Sequence, residues 1–408
     1  MNDIFWCIGG GLLQMPVLEN ARKLGLDVVI SDGNPNCVCA DKADIFAHID
    51  IFDIDGHLQH ASHLRKTRNI IGVLAAGIDA PMTMSALCEM LELPGVPLTV
   101  SDIVHHKSKF RDFSYQNDID TPFFKLFHAD EIDILDDYLK DFPLPFIIKN
   151  VDSSGSRGTK IFYMRDKEEE LRIAREAIRV SKTNAFLVES VWKGQECTVE
   201  TLFDINGNFH RCFITDRVFD YSSGVPMEIG LVSPSQLPDE EQNACFQLAQ
   251  DVAAKLGINI GAAKFDMIVT NEGPRIIEMT TRLSGGFDCQ YVVPAASGKN
   301  IIRAAILTAC GKSFPSELLE DRVSRVVVTR SHWPKRGKIK AILGVEEALE
   351  IDNVEHIFFR RKVGDFIDGY DDCTDRVSFV IASGKTLDEA ENAAKNALAT
   401  VAIEVEDD

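Results

Sequence analysis

The sequence predicts a chain of mixed α/β and α+β class in three parts, and three observations carry that reading. Strand and helix signals alternate through residues 1–102, the pattern is mixed through 103–312, and 313–408 reads as a turn-rich α+β segment. With 408 residues the chain has room for two or three domains.

The first part is read from its order of elements. "DIFWCIG" is a strand, "MPVLENARKLG" a helix closed by Gly25, and "DVVIS" a second strand ended by the turn "DGNP". "IIGVLAA" is a later strand, followed by the helix "PMTMSALCEMLE" with Pro81 near its first position. Strands separated by helices imply a parallel, doubly wound sheet. The stretch "LPGVPLTVSD" reads as a break.

Beyond it, "LPFIIKN" and "FLVES" are buried strands flanking the charged helix "DKEEELRIAREAIRVSK". "ECTVETLFDINGNFHRCFITD" is a hairpin around "NGN", and a long helix ends at Gly257. After the helix "NIIRAAILTACG" come short strands such as "RVSFVIA" and a final helix, "TLDEAENAAKNALATVAI". The acidic end "EVEDD" reads as a frayed terminus.

Composition narrows the function classes. A hydrophobic fraction of 45% with 26% charged residues is that of a soluble globular protein. A net charge of -20 argues against nucleic-acid or anionic-membrane binding. No apolar run reaches the roughly 18 residues of a membrane helix. "MNDIFWCIGGG" lacks the basic flank of a signal peptide, so a cytoplasmic location is expected. The cysteines, including the Cys37/Cys39 CxC, have no second pair at zinc-finger spacing and read as ordinary thiols.

Four features could carry chemistry. The glycines of "GGGLLQ" follow the first strand, with Asp32 ending the second. Gln14 breaks the G-x-G-x-x-G pattern, which favours a tight turn or a substrate contact over dinucleotide binding. In "IIKNVDSSGSRGTK", Lys149 leaves a strand for a loop of Ser, Gly and Arg. That loop either cradles polyphosphate with its N–H and hydroxyl donors or is a solvated Ser/Gly loop. In "FLVESVWKGQECTVE", Glu189 and Glu196 flank Gly194, and taken alone they read as solvated acids of a surface hairpin. "AAKFDMIVT" and "PRIIEMTTR" flank the turn "NEG". A hairpin centred near Glu272 makes Asp266 and Glu278 cross-strand neighbours, with Lys264 on the same face and Thr280 and Arg282 extending the line. Facing carboxylates suit Mg²⁺ completed by substrate phosphates, the alternative being a salt-bridged face with Lys264 and Arg282.

Taken in order, these features resemble the ATP-grasp superfamily, most closely its carboxylate–amine ligase branch, which includes the L-amino-acid ligases and, more distantly, biotin carboxylase and D-alanine–D-alanine ligase. The resemblance spans the chain. It implies an ATP-grasp fold: a Rossmann-like domain at 1–102, an ATP-grasp domain at 103–312 with a mobile lid near 115–190, and an α+β cap at 313–408. It implies ATP and Mg²⁺ as cofactors, with one or two ions and Mn²⁺ as the alternative metal. The expected substrates are a small-molecule carboxylate and an amine, and homodimer formation is a family-level expectation.

Residue by residue, the resemblance gives Lys107 of "HHKSKFRDF", four residues ahead of Arg111, and Lys149 to the ATP phosphates. It gives Ser153, Ser154, Gly155, Ser156 and Gly158 to the phosphate-covering loop. Glu189 and Val191 match the adenine-binding hinge, and Glu196 the ribose acid, which replaces the surface-hairpin reading. Asp266 and Glu278 match the metal acids. Arg282 resembles the arginine that steadies an acyl phosphate, and Gly285 and Gly286 form part of the carboxylate pocket. Glu228 of "PMEIGLVSP" and Lys264 fall on substrate positions. The chain departs from many members at two places. Thr280 replaces an Asn at the second metal position, and Leu231 replaces a His found in some dipeptide-forming members. The implied reaction activates a carboxylate as an acyl phosphate and couples it to an amine, releasing ADP and phosphate. Two alternatives remain. A purine-type ribonucleotide carboxylase or formyltransferase needs a further phosphate-binding cluster that the sequence does not show. A non-catalytic ATP-binding module is opposed by the intact set Lys149, Asp266, Glu278 and Arg282.

Overall fold

The computed structural model describes residues 2–406. Its first sheet has four parallel strands in the order Ile45–His48, Asp27–Asp32, Ile4–Ile8, Ile70–Ala75. The helices Met15–Lys23 and Ile54–Leu64 connect strands of this sheet, and Pro81–Leu91 follows its last strand. Every residue of Ile4–Ile8 is buried, as a parallel strand covered on both faces requires. The glycine turn after it is structural: Gly10 N–H donates to Asp32 Oδ2 at 2.8 Å, and a Cβ on Gly10 would lie 2.3 Å from Cys37 Sγ.

The segment read as a break contains a helix, Leu98–His105, that begins directly after Pro97. The turn residues Pro94 and Gly95 masked an amphipathic run whose Val100, Ser101 and Val104 are buried.

An eight-stranded sheet follows, in the order Gly273–Thr280, Gly261–Thr270, Gln195–Phe203, Phe209–Asp220, Met227–Ser233, Val326–Arg330, Ser378–Gly384, Val354–Phe359. Its strands pair antiparallel. Met227–Ser233 pairs with Val326–Arg330, so the sheet runs on past residue 312 without interruption. The helix Asp239–Leu256 packs Cys245, Ala249 and Val252 against Phe265, Met279 and Phe110. Gly257, at φ 75°, ends it in the left-handed conformation that glycine adopts without a Cβ penalty.

A separate four-stranded sheet, in the order Phe124–His128, Ala185–Ser190, Phe146–Asn150, Lys160–Phe162, lies within the expected lid. The helix Lys167–Val180 covers it through Ile173, Ala174 and Ala177. The expected lid meets the turn between Phe209–Asp220 and Met227–Ser233 at Gly224, whose carbonyl accepts from Ile161 N–H at 2.8 Å, and meets the first unit where Lys182 Nζ sits 3.5 Å over the Phe52 ring.

Of the acidic end "EVEDD", residues 404–406 are paired rather than frayed, and 407–408 lie outside the described residues. Ala402–Glu406 runs antiparallel to Gly337–Leu343, with Ile403 and Val405 packed toward Ile339 and Ile367. The acids alternate with apolar residues, so a strand with one packed face forms despite the charge. Among the described residues no helix is long and apolar enough to cross a membrane.

Candidate active site

The hairpin Gly261–Thr270 and Gly273–Thr280 sets the centre of the site. Asp266 stands opposite Glu278, and Lys264 opposite Thr280. The register shifts just below: Met267 faces Ile276, leaving Ile277 as one extra residue in the second strand. Arg111 Nη2–H donates to the carbonyl of bulged Ile277 at 2.7 Å.

Cations of the protein surround the two acids. Lys264 donates to Asp266 Oδ2, Arg217 Nη1 lies 3.3 Å from the same oxygen, and Thr198 donates to Oδ1 at 3.0 Å. Lys107 Nζ is 3.6 Å from Glu278 Oε2 and donates to Ser153 O at 2.6 Å. Burial opposes ionisation of Asp266, but Arg217 and then Lys264 outweigh it and hold its carboxyl well below the usual range. Lys264, expected to meet substrate, is therefore committed to Asp266. The salt-bridged alternative is half realised: Lys264 takes part, whereas Arg282 Nη1 donates to Leu283 O at 2.9 Å.

Among the described residues no group of three or more His, Cys, Asp and Glu side chains is arranged for a metal ion. A cation at Asp266 and Glu278 would need further oxygens from substrate. The surroundings fit that demand. Thr280 Oγ1 and Arg282 Nε are buried without a partner among the described residues. Both line a cavity of about 50 Å³ shared with Asp266, Glu278, Lys107 and Lys264. Hard carboxylate oxygens beside an orphaned hydroxyl suit a small divalent cation.

Lys149, Glu189 and Arg111 form a second buried cluster. Glu189 Oε2 lies 2.5 Å from Lys149 Nζ, and Oε1 accepts from Arg111 Nε at 2.9 Å. Burial works against the Glu189 carboxylate, but Arg111 and then Lys149 pull its pKa down to about 2. Burial pulls Lys149 down while Glu189 opposes that. The Glu189 carboxylate thus orients the lysine instead of presenting a free edge to a base, and Val191 N–H donates to Pro145 O at 3.3 Å.

Both residues line a cavity of about 420 Å³ between the lid and the large sheet, as do Lys107, Lys149 and Glu196. Ile147, Ile161, Ile268 and Phe219 supply its apolar side. Ser153, Ser154, Gly155 and Ser156 form one wall. Gly155 and Gly158 have φ of 73° and 59°, and Ser156, not a glycine, has 63°. A Cβ on Gly158 would meet the Ala177 backbone at 2.8 Å, so this glycine lets the loop close onto the lid helix.

Glu196 accepts from the Tyr221 hydroxyl and lies 3.7 Å from Arg217; burial raises its pKa. Glu228, which the resemblance puts on a substrate position, is already paired. Arg217 Nη2 donates to its Oε2 at 2.7 Å, and Arg376 Nη1 to its Oε1 at 3.2 Å. Against its burial, Arg217 and then Arg376 keep it ionised. Two arginines already hold that carboxylate, so an ammonium group would have to compete with both.

Gly285 and Gly286 line neither of these two cavities. A Cβ on Gly285 would lie 3.5 Å from Gly77 Cα, and Gly77 N–H donates to Leu283 O at 3.1 Å. This loop joins the large sheet to the carboxyl end of the first sheet, and Glu200 Oε2 anchors it by accepting from Ser284 N–H at 2.7 Å.

Five residues around the site escaped sequence reasoning as contributors: Asp79, Arg111, Glu200, Arg217 and Arg376. Asp79 lines the small cavity, and Arg282, His105 and Lys107 lower its pKa against burial. It follows the strand Ile70–Ala75, at the carboxyl edge where open parallel sheets place ligands, so that rule could have found it. Arg217 and Arg376 carry no local signal.

Family models match two segments of the chain. The ATP-grasp domain model matches residues 142–290, and the model for L-amino acid ligase C-terminal domain 2 matches residues 332–406. The chain has the ATP-grasp fold. It is 24% identical to the uncharacterized protein y4rH of Sinorhizobium fredii, over 94% of this chain and 79% of that one. It is 23% identical to carnosine synthase 1 of Homo sapiens over 74% of this chain, but that match spans only 39% of the synthase. Among solved structures, the L-amino acid ligase from Bacillus licheniformis superposes with a TM-score of 0.82 at 22% identity, covering 100% of this chain and 99% of that one. The phosphoribosylglycinamide synthetase from Anaerococcus prevotii gives 0.75 at 20% identity, covering 100% of both chains.

Proposed function

We propose that this chain is an ATP-dependent carboxylate–amine ligase. The observation that carries the reading is the facing pair Asp266 and Glu278, set beside Lys107 and beneath the Ser/Gly loop of the lid. The large cavity takes the nucleotide, its apolar side against the base and its loop wall with Lys149 against the phosphates. The small cavity takes the reacting groups.

A carboxylate oxygen attacks the γ-phosphorus of ATP and ADP leaves. The amine then attacks the acyl carbon, phosphate departs, and the amine loses a proton. Phosphoryl transfer asks mainly for positioning and charge neutralisation. Lys107 and Lys149 offset phosphate charge, and Arg282, with Nε unpartnered in the small cavity, faces the transferring group. Asp266 and Glu278 would hold Mg²⁺, which supplies further neutralisation of the phosphate oxygens. The lid keeps water from the acyl phosphate. Homology to L-amino acid ligase and carnosine synthase supports amino acids as the substrates to try first.

The test is a phosphate-release screen of amino acids, peptides and sugar amines with MgATP, followed by mass spectrometry of the product. ADP release that requires both an acid and an amine, with their condensed mass, is expected. Tight ATP binding without turnover across that panel would overturn the ligase reading.

A further inference from the structure

The turn Cys373–Asp375 belongs to none of the motifs read from sequence, yet Cys373 and Arg376 form part of the wall of the large cavity. This short segment touches the phosphate-covering loop and the acid cluster at once. Cys373 N–H donates to Gly155 O at 2.9 Å. Its sulfur lies 3.7 Å from Ser156 Oγ and 3.6 Å from Pro226 O, and it accepts from Glu228 N–H at 3.3 Å. Ser156, not a glycine, holds a left-handed backbone conformation, so the loop needs outside contacts to keep its shape. Ser156 Oγ supplies another by donating to Pro226 O at 2.8 Å.

Arg376 ties the two halves together. Its Nε–H donates to Cys373 O at 2.9 Å, which pins the turn, and its guanidinium carbon sits 4.8 Å from the Phe379 ring centre. Its Nη1 donates to Glu228 Oε1, while Arg217 occupies Oε2 and also approaches Asp266. A path of charged groups therefore runs from Arg376 through Glu228 and Arg217 to Asp266. Arg376 is mostly buried, with 11% of its side chain accessible. Without it, Glu228 would keep only Arg217 as a cationic partner, and Arg217 would be drawn from Asp266 toward Glu228.

We propose that Arg376 is a positioning residue for the nucleotide site. Through Cys373 it holds the phosphate-covering loop over the cavity, and through Glu228 it keeps Arg217 shared with Asp266. The C-terminal segment thereby completes a site whose recognised motifs all lie before residue 290. The inference rests on the nucleotide-binding part of the proposed function.

The experiment measures MgATP binding by calorimetry and amide hydrogen exchange in Arg376→Ala and Arg376→Lys, with no acid or amine present. Arg376→Ala should weaken MgATP binding about tenfold, the scale of one charge-assisted contact. It should speed exchange across 153–159 while the strand Ser378–Gly384 keeps wild-type protection. Arg376→Lys, which keeps the charge but loses the fork, should recover part of the affinity. Wild-type affinity and loop protection in Arg376→Ala would overturn the proposal. So would exchange that rises equally through Ser378–Gly384, because the role would then be general stability. If Arg376→Ala fails to fold, Arg376→Lys decides: wild-type affinity and loop protection count against positioning, and an intermediate loss of both supports it. A wild-type chain that binds no MgATP would defeat the nucleotide reading itself, and the exchange arm would still decide whether Arg376 holds the loop.

Discussion

Asp266 and Glu278 face one another only because Ile277 bulges out of the ladder beside them. Below the bulge the pairs run Thr270 with Gly273 and Met267 with Ile276. Continued without interruption, that register would set Ile277 opposite Asp266 and turn Glu278 to the other face. Arg111 holds the bulged carbonyl and also binds Glu189. One guanidinium thus fixes the register of one cluster and the charge of another.

Removing either facing charge should cripple turnover while leaving the fold in place. Asp266→Asn and Glu278→Gln should each lower amine-dependent ADP release by about 10²–10³, the scale of losing one preorganised electrostatic group. Full turnover in both variants would sink the assignment of these acids.

Glu189 should make acid stability depend on an internal carboxylate. Its folded pKa is depressed to about 2 by Arg111 and Lys149, against about 4.3 in an unfolded chain. A depressed carboxylate contributes stability that is present above the unfolded value and lost as pH falls toward the folded one. Wild-type stability should therefore drop between about pH 4.3 and 2 more steeply than that of Glu189→Gln. At pH 7 the variant should be less stable by about 3–5 kcal/mol, because two buried cations lose their carboxylate. Urea titrations over this range measure both effects.

Glu200 should act in the opposite direction. Burial pushes its pKa up to about 7, opposed by Ser284, Lys264 and Arg282. A raised carboxylate contributes stability that is complete below the unfolded value of about 4.3 and lost as pH rises through about 7. Glu200→Gln keeps the group neutral and retains an oxygen for Ser284 N–H. Thermal melts should show the variant gaining on wild type from pH 5 to pH 8. A constant difference across that range would count against a buried, neutral Glu200.

The two halves of the site were not equally legible in the sequence. The hairpin acids were readable because alternation and a turn signal place side chains on one face, and here the bulge happened to restore the pairing that a centre at Glu272 predicts. Lys149 and the Ser/Gly loop were readable from composition next to a strand. Arg217 and Arg376 were not, because their roles depend on which strands become neighbours. Met227–Ser233 pairs with Phe209–Asp220 on one side and Val326–Arg330 on the other. That long-range pairing brings Arg376 against Glu228, and no local spacing encodes it. The same blindness covers the arginine partners of Glu228 and the final strand, whose partner lies over fifty residues earlier.

Thr280 stands where many members of the superfamily that the sequence resembles carry Asn, and the structure gives the difference a physical setting. Its hydroxyl is buried, without a partner among the described residues, in the cavity that holds both acids. A hydroxyl donates less electron density to a cation than the amide oxygen of Asn. Thr280→Asn should therefore lower the Mg²⁺ concentration that gives half-maximal ADP release, by about tenfold if the oxygen reaches the ion. Thr280→Val removes the oxygen at nearly constant volume and should raise that concentration. A Mg²⁺ titration of ADP release in the three proteins distinguishes the cases. Identical midpoints would mean that residue 280 stands outside the metal's reach and that Asp266, Glu278 and substrate oxygens suffice.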